Sequence, residues 1–169
     1  EQLAALNKTS NRFTQIFDED ELLDEIPHIL THTLDFDRAT FLMVEDNELK
    51  LRSYCLEKDT PEIVESFLKR VKSKEYVIPP VFMESFEEEK TIFIPDLNKD
   101  PRWPKKEGEL IRTKAVVVAP IKAKKKPIGI IIGNMQHHAR DMSLQDVERF
   151  EMFSNMVGLA LYNTQAYKS

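Results

Sequence analysis

The sequence contains a single cysteine, Cys55, among its 169 residues. One thiol excludes an internal disulfide, a zinc site built from several cysteines and any mechanism that needs paired cysteines. Glycine is scarce, with 4 residues, and we find no low-complexity run or internal repeat. The hydrophobic content of 41% is sufficient for a good core. We therefore expect one compact domain over residues 1–169 that needs no covalent cross-links.

The sequence also lacks an excess of positive charge and a long apolar segment. Its net charge is −5, whereas surfaces that bind nucleic acid or anionic membranes need clustered positive charge. We interpret the one basic run, Lys122–Lys126, as a solvated hairpin turn. No apolar stretch could span a bilayer, and there is no signal peptide. Because the chain starts at Glu1 without methionine, we expect an excerpt of a longer cytoplasmic protein that binds neither nucleic acid nor membrane.

The N-terminal part of the chain shows helical periodicity. Apolar or small residues three and four apart predict a first helix, at Leu3, Leu6, Ser10, Phe13 and Phe17. The acidic run at 18–20 interrupts this pattern and supplies an aspartate cap for a second helix. Pro27 falls inside the second pattern, where it either kinks the helix or marks a later start.

Strand periodicity follows the second helix. Residues 39–44 are apolar on both faces, which predicts a strand covered on both sides. Asp46 and Asn47 supply turn chemistry before residues 49–55, so we expect a hairpin. Thr60 and Pro61 predict the start of a third helix, and a short helical piece follows Pro80. Further strands are predicted at 76–78, 91–94, 115–121 and 128–135, the last two at the centre of the sheet.

The stretch from Pro95 to Thr113 has no periodicity. It holds Asp96, Arg102 and the only tryptophan, Trp103. Long loops in compact domains are usually functional or mobile. An indole beside a guanidinium and a carboxylate suits a planar or anionic ligand. The alternative is that Trp103 caps the edge of the core and Asp96 closes a turn.

The last segment, residues 143–166, is a predicted long helix. Ser143 with Asp146 three residues later approximates a capping box. One apolar stripe contains Val147, Phe150, Phe153, Val157 and Leu161, and a second contains Met152, Met156, Leu159, Asn163 and Ala166. A helix with two apolar stripes packs on two sides. We therefore expect the sheet on one side and another helix on the other.

The segment 115–161 reads AVVVAPI, a turn, IGIIIGN, a loop and SLQDVERFEMFSNMVGLAL. This strand–turn–strand–helix order, its Ile-Gly pair and the loop IPDLNKDPRWP at 94–104 resemble the GAF domain family. The resemblance implies an α/β (α+β) fold, GAF- and PAS-like, with an antiparallel sheet of five or six strands and helices on both faces. It also implies that the N- and C-terminal helices pack together, dimerise and continue into an output domain.

The resemblance further implies a ligand pocket on one face of the sheet, roofed by short helices and loops. We assign to it the candidate binding residues Tyr54, Phe82, Phe86, Asp96, Arg102, Trp103 and Arg112. For the interface between helices we assign Leu3, Leu6, Phe13, Met152, Met156 and Leu159. The domain then divides into a linker or dimer helix (1–17), a sheet with pocket helices (18–142) and a signalling helix (143–166).

Cyclic-nucleotide binding can be tested against a motif of the family. The nucleotide-binding members carry Asn-Lys at the end of the last strand and, after a loop, Phe, three residues and Asp-Glu. The corresponding positions are Asn134-Met135, Met142 and Asp146-Val147. Met135 stands where the motif has Lys, so the Lys–Asp ion pair that supports such a site cannot form. We therefore do not expect nucleotide binding, and we interpret Asp146 as part of a helix start.

Other chemistry of the family needs residues that are missing. Cys55 lacks the Cys-His context of bilin attachment, so we interpret it as a small hydrophobic residue. One thiol cannot resolve its own sulfenic acid, which argues against a sulfoxide reductase. His28 and His32 have the i, i+4 spacing of a helical metal site, but no third ligand is obvious, and His137 and His138 fall on a loop. We therefore expect no metal site and no catalytic set.

The leading hypothesis is a non-catalytic, small-molecule-sensing domain of a signal-transduction protein. An unidentified ligand would order the 95–113 loop and shift the terminal helices, which would bias an attached histidine kinase or nucleotide cyclase. The alternative is a ligand-free homodimerisation module with a degenerate pocket. A less favoured third hypothesis is a cyclic-nucleotide-binding domain or a redox enzyme, and the sequence names no cofactor.

Overall fold

The computed structural model describes residues 2–15, 18–74, 76–103, 113–136 and 141–168, except for the side chains of 2, 3, 5, 6, 10, 14, 113, 136 and 165–168. Its helices are α1 (Gln2–Thr14), α2 (Glu19–His32), α3 (Pro61–Val71), α4 (Pro80–Glu88) and α5 (Leu144–Lys168). Its strands are β1 (Arg38–Glu45), β2 (Glu48–Cys55), β3 (Ile92–Ile94), β4 (Thr113–Ala123) and β5 (Lys126–Gln136). A short 3-10 helix spans Leu97–Lys99.

The five strands form one antiparallel sheet in the order β2-β1-β5-β4-β3. The antiparallel sheet is confirmed, and so are the inner positions of the two long strands. The strand predicted at 76–78 is wrong, because the Tyr76 amide donates to the Ser73 carbonyl oxygen at 3.2 Å and closes a turn after α3. Pro79 then precedes α4 and has no N–H for a strand ladder.

Two hairpins join neighbouring strands through two-residue turns. Asp46 and Asn47 connect β1 to β2 with φ angles of 54° and 65°, and Lys124 and Lys125 connect β4 to β5 with φ angles of 54° and 68°. Positive φ at both central residues is the geometry that matches the twist of the strands. The basic run is therefore a hairpin turn, as its sequence context predicts.

Helix α2 is continuous through Pro27. It begins at Glu19, and the Asp18 carboxylate caps it by accepting a hydrogen bond from the Asp20 amide at 3.1 Å. The later start considered from the sequence is therefore wrong. The apolar face of α2 is buried on the sheet, with Leu22, Ile26 and Leu30 fully covered.

The sheet separates two hydrophobic clusters because its side chains alternate between faces. On one face, α1, α2 and α5 cover a core that includes Phe36, Phe41 and Phe150. A side chain at Gly133 would come within 2.8 Å of both Phe36 and Phe150, so this crossing requires glycine. On the other face, α4 and the 97–103 segment cover Leu42, Val118, Ile130 and Ile132.

Helix α5 begins with the reciprocal cap that its sequence predicts. The Ser143 amide donates to the Asp146 carboxylate at 2.8 Å, and the Asp146 amide donates to the Ser143 hydroxyl at 3.2 Å. The first apolar stripe of α5 packs on the sheet. Helix α1 packs on α5 with the rings of Phe13 and Phe153 5.7 Å apart, so the packing of the terminal helices is confirmed. Among the described residues, no helix has both the length and the apolar character needed to cross a membrane.

Candidate functional site

A cavity lies between the sheet and the segment that contains α3 and α4. Strands β1, β2 and β5 form its floor, α3 and α4 form its roof, and Trp103 closes one side. Its accessible volume is about 50 Å³, which is room for a few water molecules. Its lining comprises Arg38, Thr40, Leu42, Leu51, Phe67, Arg70, Val71, Tyr76, Pro79, Phe82, Trp103, Ile132 and Asn134.

The floor of the cavity carries polar side chains that the pairing of β1 with β5 brings together. Arg38, Thr40 and Leu42 point to this face of β1 because alternate residues share a face. Arg38 pairs with Asn134 across the β1–β5 ladder, and Thr40 pairs with Ile132. Arg38, Thr40 and Asn134 are 2%, 6% and 4% exposed. A buried polar patch therefore interrupts an otherwise apolar sheet surface.

One polar group of this cavity has no hydrogen-bond partner in the part of the chain that the structure describes. It is the buried indole N–H of Trp103, and the Thr40 hydroxyl and the Asn134 side-chain amide line the same cavity. Buried groups of this kind are paired in most proteins, since leaving one unpaired costs about 1–3 kcal/mol. The cavity therefore presents an unpaired donor that a ligand or ordered water can satisfy.

The cation on the floor is already neutralised. Arg38 forms a bidentate pair with Asp59, with Nε–Oδ2 at 2.8 Å and Nη2–Oδ1 at 2.7 Å. The two side chains are 3% and 0% exposed. Asp59 directly precedes Thr60, the N-cap residue of α3. The pair thus fixes the cavity floor to the start of the roof.

Helix α3 is a weakly anchored roof. Thr60 caps it by accepting from the Ile63 amide at 3.4 Å, and Pro61 occupies its first turn. Its apolar face includes Phe67 and Val71, yet none of its residues is fully buried. A segment with few buried apolar contacts opens locally at a low cost in free energy. Helix α3 can therefore move without disturbing either hydrophobic cluster.

The structure brings two residues of the candidate binding set together in the cavity. Phe82 and Trp103 both line it, with ring centroids 5.6 Å apart in an edge-to-face arrangement. Phe86 packs against the same cluster without lining the cavity. Tyr54 lies elsewhere, near the end of the edge strand β2, and it is 41% exposed in a neighbouring groove.

The charged members of the candidate set do not reach the cavity. Asp96 closes a turn, because its carboxylate accepts from the Asn98 amide at 3.0 Å. Arg102 pairs on the surface with Asp100 at 2.9 Å and with Glu84 at 3.2 Å. Its hydrogen bonds hold the pKa of Asp100 below the ordinary value. Arg112 lies outside the described residues.

Sequence reasoning missed the polar floor. The available signal was Arg38 and Thr40 two residues apart in a strand that is otherwise apolar, because such residues share a face. Asn134 attracted notice only through the nucleotide motif. Its pairing with Arg38 depends on the β1–β5 register, which joins residues almost one hundred positions apart.

The residues assigned to a helix interface are split between two environments. Phe13 is 6% exposed and packs within the chain, and Met156 is half-buried against the same core, so neither is free for a second chain. Met152 and Leu159 are 49% and 63% exposed on α5. The side chains of Leu3 and Leu6 lie outside the described residues.

A family model described as the GAF domain matches residues 18–161. No curated protein sequence matches the chain significantly. Similar solved structures include a methyl-accepting chemotaxis protein, residues 122 to 287, at 20% identity and a TM-score of 0.71, covering 95% of this chain and 98% of that one. The GAF domain of a phosphoenolpyruvate-protein phosphotransferase from Coxiella burnetii has 13% identity, a TM-score of 0.74 and coverages of 99% and 96%.

A third similar structure is a free methionine-R-sulfoxide reductase from Neisseria meningitidis in complex with its substrate. It has 12% identity and a TM-score of 0.75, and the match covers 98% of this chain and 91% of that chain. At these identities the three structures show the same fold. The chain with its single cysteine thus shares an architecture with both signalling proteins and an enzyme.

Proposed function

Because the chain belongs to the GAF domain family, we propose that it is a regulatory sensor domain that binds a small molecule in the cavity beneath α3. The observation that carries this proposal is the unpaired indole N–H of Trp103, in a cavity whose floor also holds the buried polar side chains of Thr40 and Asn134. A ligand that accepts a hydrogen bond from this indole would recover the free energy that the unpaired donor costs the unliganded domain.

The lining favours a ligand that combines apolar surface with a hydrogen-bond acceptor. The indole N–H of Trp103 only donates, so the ligand must carry an acceptor such as a carbonyl or carboxyl oxygen. The Asn134 amide and the Thr40 hydroxyl can each donate or accept. The walls are apolar, through Leu42, Phe82 and Ile132 among others. Since Asp59 already balances Arg38, the floor offers hydrogen bonds without a net positive charge.

The ligand would act through the roof. The accessible volume is about 50 Å³, whereas small-molecule sites usually exceed about 300 Å³. A metabolite of ordinary size must therefore displace α3, which has no fully buried residue to hold it. We propose that this displacement passes through the Arg38–Asp59 pair and the sheet to α5, and from there to a linked output domain.

Similar chemotaxis and phosphotransferase proteins support a role in signal transduction. We propose a cytoplasmic protein of the two-component type, with an output domain such as a histidine kinase or nucleotide cyclase. Met152 and Leu159 support a homodimer, because they leave a large apolar area exposed on the terminal helix.

The cavity can be tested by thermal shift with a panel of small carboxylic acids and amides. A ligand at one hundred times its Kd adds about 2.7 kcal/mol to the free energy of unfolding. Trp103 is the only tryptophan, so its fluorescence reports directly on the site. The Thr40→Val/Asn134→Leu variant should lose the response, whereas Arg102→Ala should keep it. A response that survives the double substitution would place binding elsewhere.

A dimerisation module without a ligand is a second candidate, favoured by the exposure of Met152 and Leu159 alone. The Met152→Glu/Leu159→Glu variant should then be monomeric by light scattering. Val77→Glu is the matched control, because Val77 is also an exposed apolar residue, 76% accessible, but lies outside α5. An unchanged mass for the double variant would exclude dimerisation through this face.

A further inference from the structure

A second group of chemistry-bearing side chains lies away from the cavity, at the end of α2. It consists of His28, His32, Cys55 and Glu57. One ligand-type atom of each residue lies within 4.8 Å of the corresponding atoms of the others. The helical histidine pair, for which the sequence offered no third ligand, therefore faces two further donors from the end of β2 and the residues after it.

The distances inside this cluster approach those of a metal site. Cys55 Sγ is 3.8 Å from His28 Nδ1, and a carboxylate oxygen of Glu57 is 3.7 Å from the same nitrogen. In a tetrahedral zinc site with ordinary bond lengths, neighbouring ligand atoms are roughly 3.3–3.7 Å apart. The other Glu57 oxygen lies 2.7 Å from His32 Nε2, a hydrogen-bond distance that would lengthen when an ion enters.

The donor set matches the preferences of zinc in both type and charge. Imidazole nitrogen, thiolate sulfur and carboxylate oxygen are the ligands that Zn²⁺ takes in proteins. Two neutral imidazoles, one thiolate and one carboxylate carry a combined charge of −2, which balances the ion. Hard cations such as Mg²⁺ and Ca²⁺ prefer all-oxygen sites and do not fit.

The position of the cluster on α2 also favours a cation. His28 and His32 belong to the last turns of the helix, where the carbonyl groups present the negative end of the helix dipole. The nearby Lys58 ammonium does not occupy the site. It pairs with Asp35 at 3.6 Å and donates to the Phe36 carbonyl oxygen at 3.0 Å.

The surroundings place a hydroxyl beside the cysteine sulfur and leave an entry path for an ion. The Thr31 hydroxyl lies 3.1 Å from Cys55 Sγ and also within 3.2 Å of the Pro27 and 3.1 Å of the His28 carbonyl oxygens. Cys55 is 3% exposed, but the side chains of His32 and Glu57 are 57% and 55% exposed. The cluster thus has a buried sulfur at its base and an open side that faces solvent.

We propose that His28, His32, Cys55 and Glu57 bind Zn²⁺ in a four-ligand structural site. An ordinary His–Glu ion pair accounts for the contacts between α2 and Glu57, but not for the convergence of the cysteine sulfur on the same point. The bound ion ties α2 to the short segment that leads from β2 into α3. Four protein ligands leave no open position, so the site is structural rather than catalytic.

The site and the ligand cavity are separate proposals. The ion would fix Glu57, two residues before the Asp59 that holds Arg38, and so would stiffen the base of the roof. Zinc binding itself requires none of the cavity residues. A failure of the metal experiment therefore leaves the sensor proposal intact, and a failure of the cavity experiment leaves the metal site intact.

Cobalt substitution gives the sharpest test, because Cys55 is the sole cysteine of the chain. Metal-free protein titrated with Co²⁺ should develop a sulfur-to-cobalt charge-transfer band and the intense visible bands of a tetrahedral site. Zn²⁺ should abolish both signals at one ion per chain. Calorimetry with Zn²⁺ should give the same stoichiometry, and the bound ion should raise the thermal midpoint.

Single substitutions separate this site from any other. Cys55→Ser should remove the charge-transfer band. His32→Asn and Glu57→Gln, which replace exposed side chains and so preserve the fold, should each weaken Zn²⁺ binding by more than about 100-fold. Glu65→Gln is the control, because Glu65 lines the adjacent groove outside the cluster. The absence of a thiolate band, or Zn²⁺ affinity unchanged in His32→Asn and Glu57→Gln, would overturn the proposal.

Discussion

The Ser53 hydroxyl donates a hydrogen bond of 2.7 Å to the carbonyl oxygen of Leu23, in the middle of α2. In an uninterrupted helix that carbonyl would accept from the amide four residues later, but residue 27 is proline and has no amide hydrogen. A strand side chain therefore supplies the donor that the helix lacks. This bond explains how Pro27 is tolerated inside a buried helix.

Replacing Ser53 with alanine should destabilise the domain by about 1–3 kcal/mol, because it leaves the buried Leu23 carbonyl unpaired. Chemical denaturation measures the change. In a Pro27→Ala background the helix can satisfy that carbonyl itself, so Ser53→Ala should cost clearly less there. Equal costs in both backgrounds would show that Ser53 does not compensate for the proline.

Replacing Asp59 with alanine should cost about 3–5 kcal/mol, because it leaves the Arg38 guanidinium buried without its partner. The double variant Arg38→Met/Asp59→Leu should recover most of this loss, since apolar side chains of similar size remove both charges. Urea denaturation of the three proteins measures the differences. A double variant as unstable as Asp59→Ala would assign the loss to packing and not to the unpaired charge.

Replacing Lys125 with glycine should stabilise the domain by about 1 kcal/mol. Lys125 has φ of 68° at the second position of its turn, and this conformation is costly for residues other than glycine. Lys124 remains in place because its ammonium lies 5.0 Å from the centre of the Tyr162 ring. Lys126→Gly, at the first residue of β5, should bring no gain in the thermal midpoint.

The pKa of Asp100 should rise toward its ordinary value near 3.8 in Arg102→Ala. Hydrogen bonds from Arg102 favour the ionised carboxylate and so lower this pKa. A carboxyl group with a depressed pKa stabilises the native state at pH values above its ordinary pKa. This contribution is lost as the pH falls through the lower pKa of the folded state. Carboxyl NMR titration measures the change, with Glu84→Gln expected to shift Asp100 less. An unchanged pKa of Asp100 in Arg102→Ala would show that Arg102 does not influence this carboxyl group.

The order of helices and strands follows from local information, with the 76–78 segment as the exception. The hairpin at Lys124 and Lys125 shows why the exception arises. The turn is defined by residues adjacent in sequence, whereas the 76–78 segment needed a partner strand to become a strand and instead begins with a turn after α3. The apolar character of residues 76–78 and the proline that follows them carry no information about whether a partner strand is available.

The site followed from the sequence only in part. Phe82 and Trp103 came from composition of the loop and the short helix, and both line the cavity. Arg102 and Asp96 have equally suggestive chemistry, but each has a partner within a few residues and remains at the surface. A polar side chain can pair with a nearby residue or reach into a distant cavity, and the sequence does not show which of the two it does.

By itself, the sequence determined the pattern of helices, strands and caps, because periodicity and turn chemistry act between neighbouring residues. Only the tertiary structure decided which distant side chains meet. The β1–β5 register placed Arg38 beside Asn134, and the packing of α2 on β2 brought His28 and His32 to Cys55 and Glu57. Contacts of this kind depend on the position of whole elements in space, which no local pattern encodes.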